Sequence, residues 1–174
     1  KNYNIKIIPR GICLNRFQNI SKDRILFMKQ KYNITNQLVV SLPGRLTDLK
    51  GQKVFLESIK YINSKDIKYL IIGDGNNNYY QELKDYIIKY NLPVTIDKNC
   101  EDIAAMYQIS DIIISASTKS ETFGRIAVEG MASGKIVVAT NIGGSTQTIV
   151  NYKSGFLIQP NNPKVLAEYI INIK

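Results

Sequence analysis

The sequence contains no histidine and no tryptophan, and it has only two cysteines, Cys13 and Cys100. Without histidine, His-based catalysis within these 174 residues is excluded. Because the two cysteines are far apart and no histidine accompanies them, we expect neither a zinc site nor a disulfide framework, and a reducing compartment is indicated. No stretch approaches the roughly 20 apolar residues of a membrane span, and no basic segment followed by an apolar run opens the chain.

The composition is typical of one globular domain that can bury its own core, since 44% of the residues are hydrophobic and the aromatic residues are mostly tyrosine. The chain starts at Lys1, without methionine, directly on a predicted strand. We therefore expect a fragment of a longer protein.

The formal net charge of +9 is compatible with a polyanionic partner. The lysines are scattered, however, with no dense run and no aromatic motif of the RNP type. A nucleotide diphosphate, together with a weak attraction to a membrane surface, explains the charge as well as a nucleic acid does. We expect no nucleic-acid partner, and we leave open a peripheral contact with a membrane.

Short apolar runs alternate with amphipathic segments from residue 37 to the end of the chain. Strands are predicted over residues 5–9, 37–42, 67–75 (ending in a glycine turn), 93–96, 111–116, 135–140 and 155–158. Helices are predicted over residues 21–36 (helix and turn), 52–62, 78–90, 101–109, 125–133, 145–150 and 163–173, after a loop that includes residues 15–17. The fold class is therefore α/β, a doubly wound parallel Rossmann-like sheet, because parallel strands need crossover helices. Ligands of such sheets bind at the carboxyl ends of the strands.

The segment 117–129 joins a buried strand to a helix that we predict to begin near Gly124 or Arg125. The free amides of a first helical turn favour phosphate, and Gly124 has no Cβ to keep a ligand from its backbone. Glu121 precedes this helix start and Glu129 lies about one turn inside it, so both should reach the same space. Taken alone, either glutamate is more simply interpreted as a helix-flanking or solvated acid.

A second phosphate signal follows another predicted strand, at residues 44–51. Arg45 and Lys50 are a fork-shaped donor and a point charge that could meet one diphosphate, although spacing alone favours two solvated loop cations. The turn Gly73-Asp74-Gly75 is a weaker candidate, since this is also common turn chemistry. For Gly143-Gly144, close approach to a ligand and simple opening of the next helix stay open as alternatives.

Other nucleotide and metal motifs are missing. No Gly-x-Gly-x-x-Gly follows a strand, and no Gly-x-x-x-x-Gly-Lys-Ser/Thr occurs, so dinucleotide binding and P-loop phosphoryl transfer lose their usual support. No Asp-x-Asp pair offers a metal site.

Together, these residues resemble a known family over nearly the whole chain. The chain is similar to the C-terminal, donor-binding half of the retaining GT-B glycosyltransferases, the "group 1" nucleotide-sugar enzymes. The resemblance rests on Ile8-Pro9-Arg10-Gly11, Gly44-Arg45-Leu46, Lys50-Gly51, Gly73-Asp74-Gly75, the segment 117–134 with its two glutamates, and Gly143-Gly144. Departures from the family pattern are Cys13 in place of an aspartate, Lys135 in place of a proline and Thr148 in place of an acid.

The resemblance implies a role for each site residue. Arg45 and Lys50 would neutralise the leaving diphosphate, and the amides of residues 123–125, Phe123, Gly124 and Arg125, would cradle it. Glu129 would hold the ribose hydroxyls and Glu121 the hydroxyls of the donor sugar. Gly44 and Gly73 complete the expected donor-binding set. No metal and no cofactor besides the donor substrate is expected.

The implied function is transfer of a hexose or N-acetylhexosamine from a nucleotide diphosphate donor, with UDP-sugar favoured, to a cell-envelope or polysaccharide acceptor such as a glycan or a lipid-linked glycan. The alternatives are a related sugar-nucleotide epimerase, a glycan phosphorylase, which the lack of a pyridoxal lysine motif disfavours, and a non-catalytic nucleotide-sugar-binding module. We expect residues 1–174 to be the donor domain, located in the cytoplasm or at the inner face of the membrane. The isolated domain should be inactive without an N-terminal acceptor domain.

Overall fold

The computed structural model of the protein describes residues 11–173. The strand expected at residues 5–9, and the first three residues of the motif at 8–11, lie outside the described residues. The strands are β1 Leu38–Pro43, β2 Ile67–Ile72, β3 Val94–Asp97, β4 Ile112–Ser115, β5 Ile136–Thr140 and β6 Phe156–Ile158. Within residues 11–173 these six strands form one parallel sheet in the order β3-β2-β1-β4-β5-β6, so the prediction of a doubly wound sheet is confirmed.

The order of the strands creates a crevice at the centre of the sheet. β1 pairs with β2 on one side and with β4 on the other, so the winding of the chain changes direction between β1 and β4. The crossovers of the two halves therefore leave in opposite directions, and a space opens beyond the carboxyl ends of these two strands. The segments that follow Pro43 and Ser115 border that space.

Helices cover both faces of the sheet. They are α1 Asn15–Gln18, α2 Lys22–Lys31, α3 Gln52–Ile59, α4 Asn77–Lys89, α5 Ile103–Ile109, α6 Arg125–Ala132, α7 Ser145–Thr148 and α8 Pro163–Ile173, with a short 3₁₀ helix at Asp48–Lys50. Side chains of α1, α2, α5 and α6 pack into one core on one face, and side chains of α3, α4 and α8 pack into another on the opposite face. Strands such as β4, buried along their whole length, are apolar on both sides because both faces are covered.

Polar side chains cap several of these helices. Asn76 accepts a hydrogen bond from the backbone of Tyr79 at 3.1 Å, and Asp102 accepts one from Ala105 at 3.0 Å. Asn162 accepts one from the backbone of Val165 at 3.2 Å, as the sequence predicted for the last helix. Each cap satisfies an amide that the first helical turn leaves unpaired.

The structure corrects the sequence prediction near its start. Residues 15–17 were expected in a loop but belong to α1, because Phe17 turns inward and is 2% exposed. Its ring meets the ring of Tyr107 edge to face, with centroids 5.6 Å apart. The other helices and strands predicted within residues 11–173 are present, and their ends differ from the prediction by a few residues. Among residues 11–173, the structure has no helix with the length and apolar character needed to cross a bilayer.

Candidate functional site

A cleft of about 560 Å³ lies at the centre of the strand-end edge, between the segments that follow β1 and β4 and the start of α6. It is lined by Gly44, Arg45, Thr47, Leu49, Lys50, Lys119, Ser120, Glu121, Arg125, Ile126 and Glu129. Four of these side chains are cationic and two are acidic, so the lining carries a formal excess of positive charge. The cleft therefore favours an anionic ligand.

Glu121 is held between the two loops that border the cleft. Its Oε2 lies 2.8 Å from Nζ of Lys50, and its Oε1 accepts a hydrogen bond from the hydroxyl of Ser117. The loops are also joined through their backbones, since the amide of Thr118 donates to the carbonyl of Leu49 at 2.9 Å. The carboxylate thus has a defined position at the cleft, beside a cation that the sequence placed 71 residues away.

Arg45 is an exposed residue on a loop whose backbone is held by buried neighbours. The side chain of Gln52, which is fully buried, donates a hydrogen bond to the carbonyl of Arg45 at 2.9 Å. Leu46, the next residue, is also fully buried. Within residues 11–173, Arg45 forms no ion pair, so its guanidinium is not engaged by a protein carboxylate.

Glu129 is buried, with only 8% of its surface exposed. The hydroxyl of Tyr107 donates to its Oε2 at 2.9 Å, and Nε of Arg125 donates to its Oε1 at 2.6 Å. Because buried carboxylates are costly unless they are paired, this degree of burial rules out the simpler interpretation of Glu129 as a solvated residue of the helix surface. The structure brings both glutamates to the same cleft.

The helix start lies where the sequence predicted it, but the reason for its glycine is different. α6 begins at Arg125, and Gly124 precedes it with φ +72°. A Cβ on Gly124 would point toward Ser145, 3.1 Å from its backbone nitrogen, and not into the cleft. Gly124 and Phe123 are not among the residues that line the cleft, so an amide cradle at these two residues stays a prediction.

Gly143 and Gly144 directly precede α7, which begins at Ser145, so the expectation that they open the next helix is confirmed. Their approach to a ligand stays a prediction, and the structure adds a packing role. A Cβ on Gly143 would lie 2.4 Å from the carbonyl oxygen of Glu121, and one on Gly144 would lie 2.3 Å from the carbonyl carbon of Phe123. The amide of Gly144 donates to the carbonyl of Glu121 at 2.7 Å. These two glycines therefore let the chain after β5 press against the loop that carries Glu121.

Gly44 and Gly73, both expected to approach the donor, occupy different layers. Gly44 lines the cleft. Gly73 lies behind it, since a Cβ there would be 2.3 Å from the carbonyl oxygen of Gly44. Leu46 and Gly75 form a parallel bridge at the same place. Gly73 therefore supports the loop after β1, and its expected contact with the donor stays a prediction.

Sequence reasoning missed Tyr107 and Gln52. Tyr107 is 22 residues from Glu129, on another helix, and no periodicity links the two. Gln52 had no signal except that it is a polar residue at the start of an otherwise amphipathic helix. The contact between Arg125 and Glu129, by contrast, follows the i,i+4 spacing of neighbours on a helix.

The ionisation of Tyr107 is set by its surroundings. Burial, together with the charge of Glu129 and the hydrogen bond to it, raises the pKa of Tyr107 well above its ordinary value. Its hydroxyl is therefore a protonated donor at neutral pH.

Among residues 11–173, no three Cys, Asp or Glu side chains are grouped closely enough to hold a metal ion.

A family model described as "Glycosyl transferases group 1" matches residues 24–174. The chain belongs to this family of glycosyltransferases. An uncharacterized glycosyltransferase of Methanocaldococcus jannaschii is 32% identical over 133 residues, which are 75% of this chain and 36% of that protein. The capsular polysaccharide biosynthesis glycosyltransferase CapM of Staphylococcus aureus is 28% identical over 165 residues, 92% of this chain and 42% of its own.

The fold of this group 1 domain also occurs in solved structures. The Anabaena protein HepE, in complex with UDP-glucose, superposes with a TM-score of 0.89 at 28% identity, over 96% of this chain and 47% of its own. The expectation that this sheet forms one half of a GT-B fold is confirmed. The chain spans less than half the length of the relatives described here.

Proposed function

We propose that this group 1 domain binds the nucleotide diphosphate-sugar donor of a retaining, metal-independent glycosyltransferase. One observation carries the proposal: a cleft with excess positive charge, at the carboxyl ends of β1 and β4, holds two carboxylates in fixed positions on either side of the start of α6. Cations suit the diphosphate of such a donor, and carboxylates suit the hydroxyls of its ribose and its sugar.

The cations act on the step that limits the reaction. Cleavage of the bond between the sugar and the diphosphate builds negative charge on the leaving oxygen. Arg45 and Lys50, held at the cleft before the reaction begins, stabilise that charge without a metal ion. The acceptor attacks from the face that the diphosphate leaves, which retains the configuration at the sugar carbon.

The donor and the acceptor are proposed by analogy with the relatives. HepE was solved with UDP-glucose, so we assign a UDP-sugar to this cleft. CapM is named for capsular polysaccharide biosynthesis, so we assign a glycan or lipid-linked acceptor of the cell envelope. The enzyme would then act in the cytoplasm, at the inner face of the membrane when its acceptor is lipid-linked.

The two glutamates have different roles in this proposal. Glu129, buried beside Tyr107, accepts hydrogen bonds from the ribose hydroxyls, and Glu121, beside Lys50, accepts them from the sugar.

Titration calorimetry with UDP and UDP-glucose tests the assignment. Glu129→Ala should weaken binding of both ligands, whereas Glu121→Ala should spare UDP and weaken only UDP-glucose. The matched control is Glu168→Ala on the exposed side of α8, which should change neither. Equal losses of UDP affinity in both glutamate variants would refute the assignment.

The complete enzyme is proposed to need a second domain. Holding donor and acceptor in register is worth about 7–11 kcal/mol in favourable cases, and a single donor domain forfeits that contribution. Residues 1–174 should therefore fold and bind UDP but transfer no sugar until an N-terminal acceptor domain is present. A radiolabelled-donor assay tests this, and turnover by residues 1–174 alone, comparable to that of the longer protein, would disprove the two-domain proposal.

A further inference from the structure

Tyr107 contacts Glu129, the residue proposed to bind the ribose, from the buried side of the cleft. It lies on α5, its side chain is fully buried, and its hydroxyl is 2.9 Å from Oε2 of Glu129. The ring is wedged against Phe17, with an interplanar angle of 85°. A tyrosine fixed in this way can offer its hydroxyl in one direction only, so it is a rigid hydrogen-bond donor.

The second contact of Glu129 has a different character. The side chain of Arg125 is 57% exposed, whereas that of Glu129 is 11% exposed. An exposed arginine exchanges readily between its carboxylate, water and an incoming phosphate, so it does not fix the carboxylate by itself. Each carboxylate oxygen that accepts one hydrogen bond keeps capacity for another, which leaves Glu129 able to accept ribose hydroxyls while Tyr107 holds it.

We propose that Tyr107 is a positioning residue that orients the carboxylate of Glu129, and that it thereby sets the preference of the site for a donor with a ribose 2′- and 3′-hydroxyl. The proposal rests on the assignment of Glu129 to the ribose. A site built to bind a ligand hydroxyl rejects an analogue that lacks it, because a buried group is then left unpaired. That rejection requires the carboxylate to stay in place when the hydroxyls are missing.

The test compares UDP with 2′,3′-dideoxyuridine diphosphate by calorimetry, in the 174-residue chain and its Tyr107→Phe variant. The phenylalanine keeps the ring and its packing on Phe17 and removes only the hydroxyl. The wild type should prefer UDP roughly ten-fold or more, the value of a charge-assisted hydrogen bond. Tyr107→Phe should lower this ratio severalfold through weaker UDP binding alone, while the affinity for the dideoxy ligand stays the same. A merely structural role would weaken both ligands equally.

Tyr69→Phe is the matched control. Tyr69 is also buried, on β2 in the other core, and its hydroxyl has no hydrogen-bond partner among the described residues. Removal of this hydroxyl should leave the ratio unchanged. A second comparison uses Tyr107→Phe on a Glu129→Ala background, where the acceptor is absent and the hydroxyl should no longer affect the ratio.

Arg125→Gln tests the proposal through a residue whose substitution does not disturb the core. The preference for UDP should persist in this variant, with the ratio falling only slightly, since Tyr107 still holds the carboxylate. Complete loss of the preference in Arg125→Gln, or a wild-type ratio in Tyr107→Phe, would overturn the role of Tyr107 and leave the role of Glu129 standing. A wild type without preference for UDP would overturn both.

Discussion

The ammonium group of Lys50 lies 2.8 Å from Oε2 of Glu121, across the cleft between the loop after β1 and the loop after β4. Both side chains are largely shielded, with 25% and 22% of their surfaces exposed. A diphosphate in the cleft would share Lys50 with the carboxylate assigned to the sugar. Binding of the diphosphate and binding of the sugar would therefore both depend on this ion pair in the proposed site.

Substitution of the two cations should separate their roles. Arg45→Ala should weaken UDP and UDP-glucose equally, by roughly ten-fold, because the arginine is assigned to the diphosphate alone. Lys50→Ala should weaken UDP-glucose more than UDP, since it also removes the partner of Glu121. Calorimetry at low and high salt checks this, with larger effects at low salt. Lys153→Ala, an exposed cation near β6, is the control. Unchanged binding in both cleft variants would remove these cations from the site.

Because Gly144 packs closely against the loop that carries Glu121, a substitution at Gly144 should affect both stability and donor binding. Gly144 has φ −59°, which any residue adopts, so Gly144→Ala adds only a clash with the backbone of Phe123. This variant should lose thermal stability and bind UDP-glucose more weakly. In the matched control Gly134→Ala, the added Cβ meets open space, but φ is +70°. It should cost about 1–2 kcal/mol in strain and leave the affinity unchanged. Wild-type affinity in Gly144→Ala would contradict the proposed support.

The ion pair between Arg24 and Asp102 should make stability depend on pH. The hydrogen bond from Arg24 holds the pKa of Asp102 below its ordinary value. The stabilisation is therefore fully present above the unfolded pKa of about 3.9 and is lost as the pH falls through the folded value. Asp102→Asn and Arg24→Met should each lower the free energy of unfolding at neutral pH and converge with the wild type in acid, as measured by urea denaturation. A difference that persists undiminished below both values would contradict the pairing.

The same aspartate also caps α5, which allows the two roles to be separated. Asparagine at position 102 retains an oxygen for the backbone amide of Ala105, whereas alanine does not. Asp102→Ala should therefore cost about 1 kcal/mol more than Asp102→Asn, and this extra cost should persist at low pH. Equal stabilities of the two variants would show that the cap contributes nothing.

Chelation should not affect the proposed donor site. Cationic side chains line the cleft, and no three metal-binding side chains are grouped within residues 11–173. Binding of UDP measured by calorimetry should be the same with EDTA and with added Mg²⁺. A loss of affinity on chelation, restored by Mg²⁺, would refute the metal-independent mechanism.

The sequence by itself determined the parallel sheet, the edge at which its strands end, and the placement of the two glutamates near the start of α6. It could do so because the alternation of apolar runs and amphipathic segments reports burial along each strand and helix, and parallel strands leave few topologies.

Only the tertiary structure decided which side chains contact the glutamates and the segments around them. The helical turn at Phe17, the buried bond from Tyr107 to Glu129, and the contact of Gly144 with Phe123 each join segments that are distant in the chain. Local periodicity shows that a face is buried but not which residue covers it, because that depends on how the crossovers stack helices against one another.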